Sequence, residues 1–230
     1  GLRTLQAAIA GSNGEVVESL PPTSVVISED SRSIVHYNVH DLPVPERIAL
    51  GLYFPEGEPG DGIVAALTAL KRENDRWSVV RHHAASVFPL LHQAFGSLGA
   101  ISLPRHVLLY AGQPLNPGAV ETELAPIVRL AHAGRVVIHS VAAPGEEDGE
   151  GCQLAQASGG VVIRADTRAQ VVEAYEKLYL GLLRPYEISY QSPTGTVLPS
   201  EIKLEIFGSA GHGASVFHPL ALAGVTSMAS

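Results

Sequence analysis

The chain has 230 residues, enough to bury a full core in one large domain or in one domain with a small annex. Its 46% hydrophobic and 17% charged residues exclude a disordered chain, and its apolar runs are too short and interrupted to cross a bilayer. The net charge of −8 argues against a nucleic-acid surface, and the single cysteine, Cys152, excludes an internal disulfide and any thiolate metal cluster.

The first 45 residues read as β structure. Thr4–Ala10 alternates weakly, Gly11-Ser12-Asn13-Gly14 is a turn signal, and Glu15–Val17 follows as a short strand. Ser24–Ser28 and Ile34–Val39 flank a turn at Glu29-Asp30-Ser31-Arg32 and form a second predicted hairpin. Period-two alternation sets Ile34, His36, Asn38 and His40 on one face and Val35, Tyr37 and Val39 on the other. Residues 41–45 read as a linker.

From Arg47 the texture changes to strands alternating with helices. Strands are predicted at Ile48–Tyr53, Trp77–Arg81, His106–Tyr110, Arg135–Val141 and Val161–Arg164. Helices are predicted at Ile63–Arg72, Val87–Leu98, Gly118–His132, Cys152–Ser158 and Ala169–Leu183, with Pro126 a kink or boundary in the third. Strands separated by helices imply right-handed crossovers and a mostly parallel sheet with helices on both faces. After Pro185 the pattern returns to β, at Tyr186–Tyr190, Glu201–Phe207 and Val216–His218, with Gly208–Ser215 read as a turn. The predicted organisation is therefore an N-terminal β segment over residues 1–45, an α/β domain over 46–185, a C-terminal β segment over 186–220 that pairs with the first, and a tail over 221–230.

The order of these pieces resembles a von Willebrand factor A domain and, with its flanks, the bacterial group related to it. LQAAIAGSNGEVVESLPPTSVVISEDSRSIVHYNV is similar to that group's opening β segment, and HVLLYAGQPLN stands where the family has an apolar strand ending in T-D-G. HAGRVVIHSVAAP resembles its next helix end, strand and loop, and LAQASGGVVIRAD with RPYEISYQSP resembles its closing portion. The resemblance implies a Rossmann-like parallel sheet with a β annex, an adhesion or protein-binding role, and an exported bacterial protein. The chain begins at Gly1, from which a removed upstream segment such as a signal peptide is expected; the single cysteine fits an exported protein without disulfides and the cytoplasm equally.

The family's metal-ion-dependent adhesion site takes oxygens from a D-x-S-x-S loop after the first sheet strand, a threonine, and an aspartate after the fourth strand, and leaves one position of a hard divalent ion for a partner's carboxylate. Here the first slot reads Phe54-Pro55-Glu56-Gly57-Glu58 and the T-D-G slot reads Tyr110-Ala111-Gly112. The resemblance therefore implies a degenerate site with no metal. The expected function is a non-enzymatic module that binds an unidentified protein through Phe54–Gly62, Ala111–Gly118 and Pro144–Gly151, with Phe54, Glu56, Glu58, Tyr110 and Gln113 as contact residues. The alternative is a divergent site for Mg²⁺ or Ca²⁺ built from Glu56, Glu58 and Asp61. A third reading, an enzyme such as a hydrolase, finds no Ser/His/Asp, H-E-x-x-H or paired-carboxylate pattern to support it. His82-His83 point to opposite sides of a strand, His36 and His40 are too widely spaced to chelate, and Cys152 is surrounded by acidic residues that oppose a thiolate.

Overall fold

The computed structural model describes residues 1–8, 20–55, 60–82, 91, 92, 95, 105–111, 117–134, 136–142, 149–195, 201–208 and 211–217. The middle of the chain forms a parallel sheet from β5 (Ala49–Pro55), β6 (Arg76–His82), β7 (Arg105–Ala111), β8 (Val136–Ala142) and β9 (Val162–Arg164). Its five strands lie in the order β6-β5-β7-β8-β9, and each neighbouring pair is parallel. The alternation along β5 explains why it sits centrally. Leu50, Leu52 and Phe54 enter one core layer while Ala49 and Tyr53 enter the other, and all five are buried.

Helices cover both faces. On the first, α1 (Gly60–Leu70) brings Ile63 and Leu67, and α4 (Arg168–Leu182) brings Val171, Tyr175, Leu178, Tyr179 and Leu182. On the second lie α2 (Pro117–Gly134), with Ile127 and Ala131, and α3 (Glu150–Ala157), with Leu154; Leu91 and Phe95 join them. The helix α4 starts with a reciprocal cap: Thr167 Oγ1 accepts from the Gln170 N–H while Gln170 Oε1 accepts from the Thr167 N–H. Pro126 does not end α2, whose helical span continues to Gly134. The burial of Ile127 and Ala131 beyond the proline is what retains that last stretch.

The two flanks form a β-sandwich. One layer is β1 (Leu2–Ala8), β10 (Pro185–Gln191) and β4 (Tyr37–Asp41), with β10 between the other two. The second is β12 (Gly211–Phe217), β11 (Ile202–Gly208), β2 (Val25–Glu29) and β3 (Arg32–Ile34). Leu5, Val25, Ile27, Ile34, Tyr186, Ile188, Tyr190, Ile202 and Leu204 fill the space between the layers.

The predicted strand Ile34–Val39 is divided in the structure. Ile34 ends β3 in one layer, and Tyr37 and Val39 belong to β4 in the other. A continuous strand would put Ile34 and Tyr37 on opposite faces, whereas the break at Val35 and His36 lets Ile34, Tyr37 and Val39 all meet the sandwich core. The hairpin turn is Asp30-Ser31, both at positive φ (47° and 64°), so Glu29 and Arg32 fall inside strands. The segment from Gly211 to Ser215, predicted as a turn, is strand β12. The predicted turn and short strand at Gly11–Val17 lie outside the described residues.

One polar cluster ties the linker to the parallel-sheet part where the chain enters it. The buried Asp75 accepts from the Ile48 N–H at 2.9 Å, from Arg72 at 2.7 and 3.1 Å, and from Tyr179 Oη at 2.6 Å. Arg72 Nη1 also donates to the Pro45 carbonyl at 2.7 Å, which ties the linker to the α1–β6 turn and to α4. Burial works to raise the Asp75 pKa, but the bonds from Arg72, Tyr179 and Ile48 outweigh it and hold the carboxyl below its usual value.

Candidate functional site

Strand order reverses between β5 and β7: from β5 the chain continues to β6 on one side, and β7 lies on the other. At such a switch point, loops leave the carboxyl ends of adjacent strands in opposite directions and open a crevice between them. The chain leaves β5 at Pro55 and β7 at Ala111, so these two strand ends flank the crevice. The sandwich is joined at the opposite edge, since the linker enters at the start of β5 and β10 follows the end of α4.

The predicted contact residues fare differently. Phe54 is fully buried and meets Tyr175 edge to face, with ring centroids 6.3 Å apart at 88°. It is a core residue, and the expectation that it offers an exposed aromatic surface is corrected. The period-two series Leu50, Leu52, Phe54 carries the cause: Phe54 continues the buried face of β5 rather than starting the loop. Tyr110 lies in β7, paired with Val141 of β8. Glu56, Glu58 and Gln113 fall outside the described residues.

Asp61, in the first turn of α1, is exposed and pairs with Arg81 of β6 at 2.6 Å. Arg81 is in register with Phe54, which sets this ion pair at the carboxyl edge of the sheet, on the β6 side of β5. Sequence reasoning missed Arg81, because its partner lies on another element and no local pattern joins them. At the positions that correspond in sequence to the family's metal-binding slots, the described residues offer few side-chain oxygens. The leading carboxylate position is the buried Phe54, Ala111 carries no side-chain oxygen, and Asp61 already faces a guanidinium. Among the described residues no group of three or more His, Cys, Asp or Glu side chains converges.

The remaining sequence candidates stay apart from the crevice. His36 and His40 are exposed on and beside β4. Cys152 is buried in α3 against Ala142 and Val162, as a small core residue. His82 is the last residue of β6, and His83 lies outside the described residues. Two buried polar groups beside α3 have structural employment. Ser158 Oγ accepts the Ile138 N–H at 2.9 Å, and His139 Nδ1 accepts the Val161 N–H at 3.2 Å, on the side of β8 where the pairing with β9 has not yet begun.

No family model matches the chain, and no curated protein matches it. Among solved structures it is similar to a von Willebrand factor type A protein from Catenulispora acidiphila, at 9% identity over 94% of this chain and 72% of that one, with a TM-score of 0.47. It is also similar to the human COPII-coat protein Sec24c, at 7% identity over 76% of this chain and 44% of that one, with a TM-score of 0.41. Among the described residues no helix is long and apolar enough to cross a membrane.

Proposed function

We propose that this chain is a non-enzymatic protein-interaction module of the von Willebrand factor A-like kind, which engages its partner at the carboxyl edge of the parallel sheet without a required metal. The observation that carries the reading is the reversal of strand order between β5 and β7, because it opens a crevice at the edge away from the sandwich. The collinear sequence resemblance supports the family assignment, and a fold of this type hosts many functions, so the binding role rests on the edge itself. With Phe54 in the core, the contact surface reduces to Glu56, Glu58, Tyr110, Gln113 and the Asp61–Arg81 pair beside them.

The test compares wild-type protein with a Glu56→Arg/Glu58→Arg/Gln113→Arg variant as immobilised baits, in EDTA and in millimolar Mg²⁺ or Ca²⁺. A protein retained by the wild type in both buffers and lost by a variant of unchanged urea midpoint is the expected result. Equal retention by the two baits overturns the assignment of the edge. Retention that EDTA abolishes transfers the site to the cation-dependent alternative built on Glu56, Glu58 and Asp61.

A further inference from the structure

Between Asp41, the last residue of β4, and Ala49, the first of β5, the chain crosses from the sandwich to the parallel sheet. Both ends of the crossing are tied by backbone bonds. The Leu42 N–H donates to the Pro185 carbonyl at 2.9 Å, and the Ile48 carbonyl accepts the Arg76 N–H at 3.0 Å. The residues between them, Pro43 to Arg47, are exposed apart from the half-buried Pro45. Pro43 and Pro45 have no N–H to give, and the amides of Val44, Glu46 and Arg47 donate to none of the described residues. Among the described residues the one polar tie left to this stretch is the bond from Arg72 Nη1 to the Pro45 carbonyl, at 2.7 Å.

That donor stands on a rigid base. The Asp75 N–H closes a turn onto the Arg72 carbonyl at 3.2 Å, which brings the two side chains together at i and i+3. The buried Asp75 carboxylate grips the guanidinium at two points, Nη2 at 2.7 Å and Nε at 3.1 Å. Tyr179 Oη of α4 accepts the Arg72 N–H at 3.4 Å while donating to Asp75, so the main chain of Arg72 is fixed as well. With two of its nitrogens held in this way, the planar guanidinium has Nη1 left to present to the linker. Neither neighbour depends on the linker for its core. The sheet has its own on both faces, and the sandwich has another, where the buried Glu29 accepts from Ser192 Oγ at 2.6 Å.

We propose that Arg72 is the lock of the linker at residues 43–47: Asp75 and Tyr179 hold its guanidinium against the Pro45 carbonyl, and loss of that bond frees the linker while the sheet and the sandwich stay folded. The two prolines suit the stretch to this role. They fix φ at 43 and 45 and bias Leu42 and Val44 to extended backbone, so a bond at the middle of the stiff strip immobilises all of it. Release turns the crossing from a fixed strut into a hinge. The lock also needs the fork of an arginine. A lysine in this place keeps a charge beside Asp75, but its single nitrogen cannot hold both carboxylate oxygens and the Pro45 carbonyl in one plane.

Backbone amide relaxation on the full chain tests this. Arg72→Lys is the conservative variant. Arg72→Met/Asp75→Asn removes the lock with no charge left unpaired, and its new side-chain amide still accepts the Ile48 N–H. In the wild type the amides of Val44, Glu46 and Arg47 are expected near the rigid order parameter of about 0.85. In both variants they are expected to fall toward about 0.6, with Leu50 and Leu52 of β5 and Ile188 of β10 held near the rigid value. A linker as rigid as the wild type's in either variant overturns the lock, and so does a linker already near about 0.6 in the wild type. A fall shared by the linker, Leu50 and Leu52 overturns it as well, since the cluster would then serve the sheet as a whole. Arg72→Lys keeps the charge pair, so it decides the matter by itself where the double variant does not fold.

Discussion

Phe54→Ala decides whether this side chain serves the core or a partner. The ring is wholly removed from water and meets Tyr175 edge to face, beneath α1 and α4. Loss of its burial costs roughly 1.5–3 kcal/mol, and loss of the aromatic pair a further ~0.5–1.5 kcal/mol. The unfilled space brings the total into the range of about 3–5 kcal/mol seen for buried aromatic-to-alanine changes. A domain of this kind holds about 5–15 kcal/mol in all, so the variant folds with a small margin or fails to fold. The sole tryptophan, Trp77, packs against Tyr179 of α4 at 5.6 Å and reports on the same core layer during a urea titration. With a slope of about 2 kcal/mol per molar, the midpoint should fall by roughly 1.5–2.5 M. A midpoint within about 0.3 M of the wild type would refute the core assignment and return Phe54 to the binding surface.

Asp75→Asn should cost about 2–3 kcal/mol at pH 7, toward the low end for a broken buried pair because Arg72 remains partly exposed. Asp75 titrates below its usual 3.8 in the folded chain, so its contribution is present above that value and is lost as pH falls through the folded one. The variant should therefore show a flatter fall of stability below about pH 4, and a wild-type-like acid slope would contradict the arrangement. Gly160→Ala would place a Cβ 1.7 Å from the Ile138 carbonyl oxygen, so a loss of about 2 kcal/mol or more in a urea titration is expected, and an unchanged midpoint rules out that approach. Asp61→Ala removes an exposed ion pair and should change the urea midpoint by less than the equivalent of about 0.5 kcal/mol; a loss above ~1.5 kcal/mol would show that Asp61 does more than pair with Arg81.

Where neighbouring residues carry the signal, the sequence is readable. The strand at Val136–Ala142 is legible from its near-continuous apolar run, and α4 from its period and the Thr167–Gln170 cap. Phe54 is legible too, since the alternation Leu50, Leu52, Phe54 runs one residue past the predicted strand end at Tyr53. The division at Val35-His36 is harder to read, because the apolar pattern of Ile34–Val39 also fits one amphipathic strand and only the presence of two layers selects the break. Partnerships across long separations were not legible. Tyr179 lies 104 residues from Asp75 and Ser192 lies 163 from Glu29, and in sequence each reads as an ordinary polar residue. The same holds for Arg81, which gains meaning only when β6 is placed beside β5 and α1.

Because the sandwich is assembled from both flanks, its completion is tied to the order of synthesis. β1 and β4 both hydrogen-bond to β10, and β2 to β11, so neither layer can close until the chain beyond Pro185 has been made. At about 5–20 residues per second, the 163 residues between Glu29 and Ser192 correspond to roughly ten to thirty seconds on the ribosome. Through that interval Leu5, Val25, Ile27 and Ile34 wait without the partners that later bury them, while the parallel sheet downstream can already form. Slow translation between β4 and β10 lengthens the time for which these apolar residues stay uncovered.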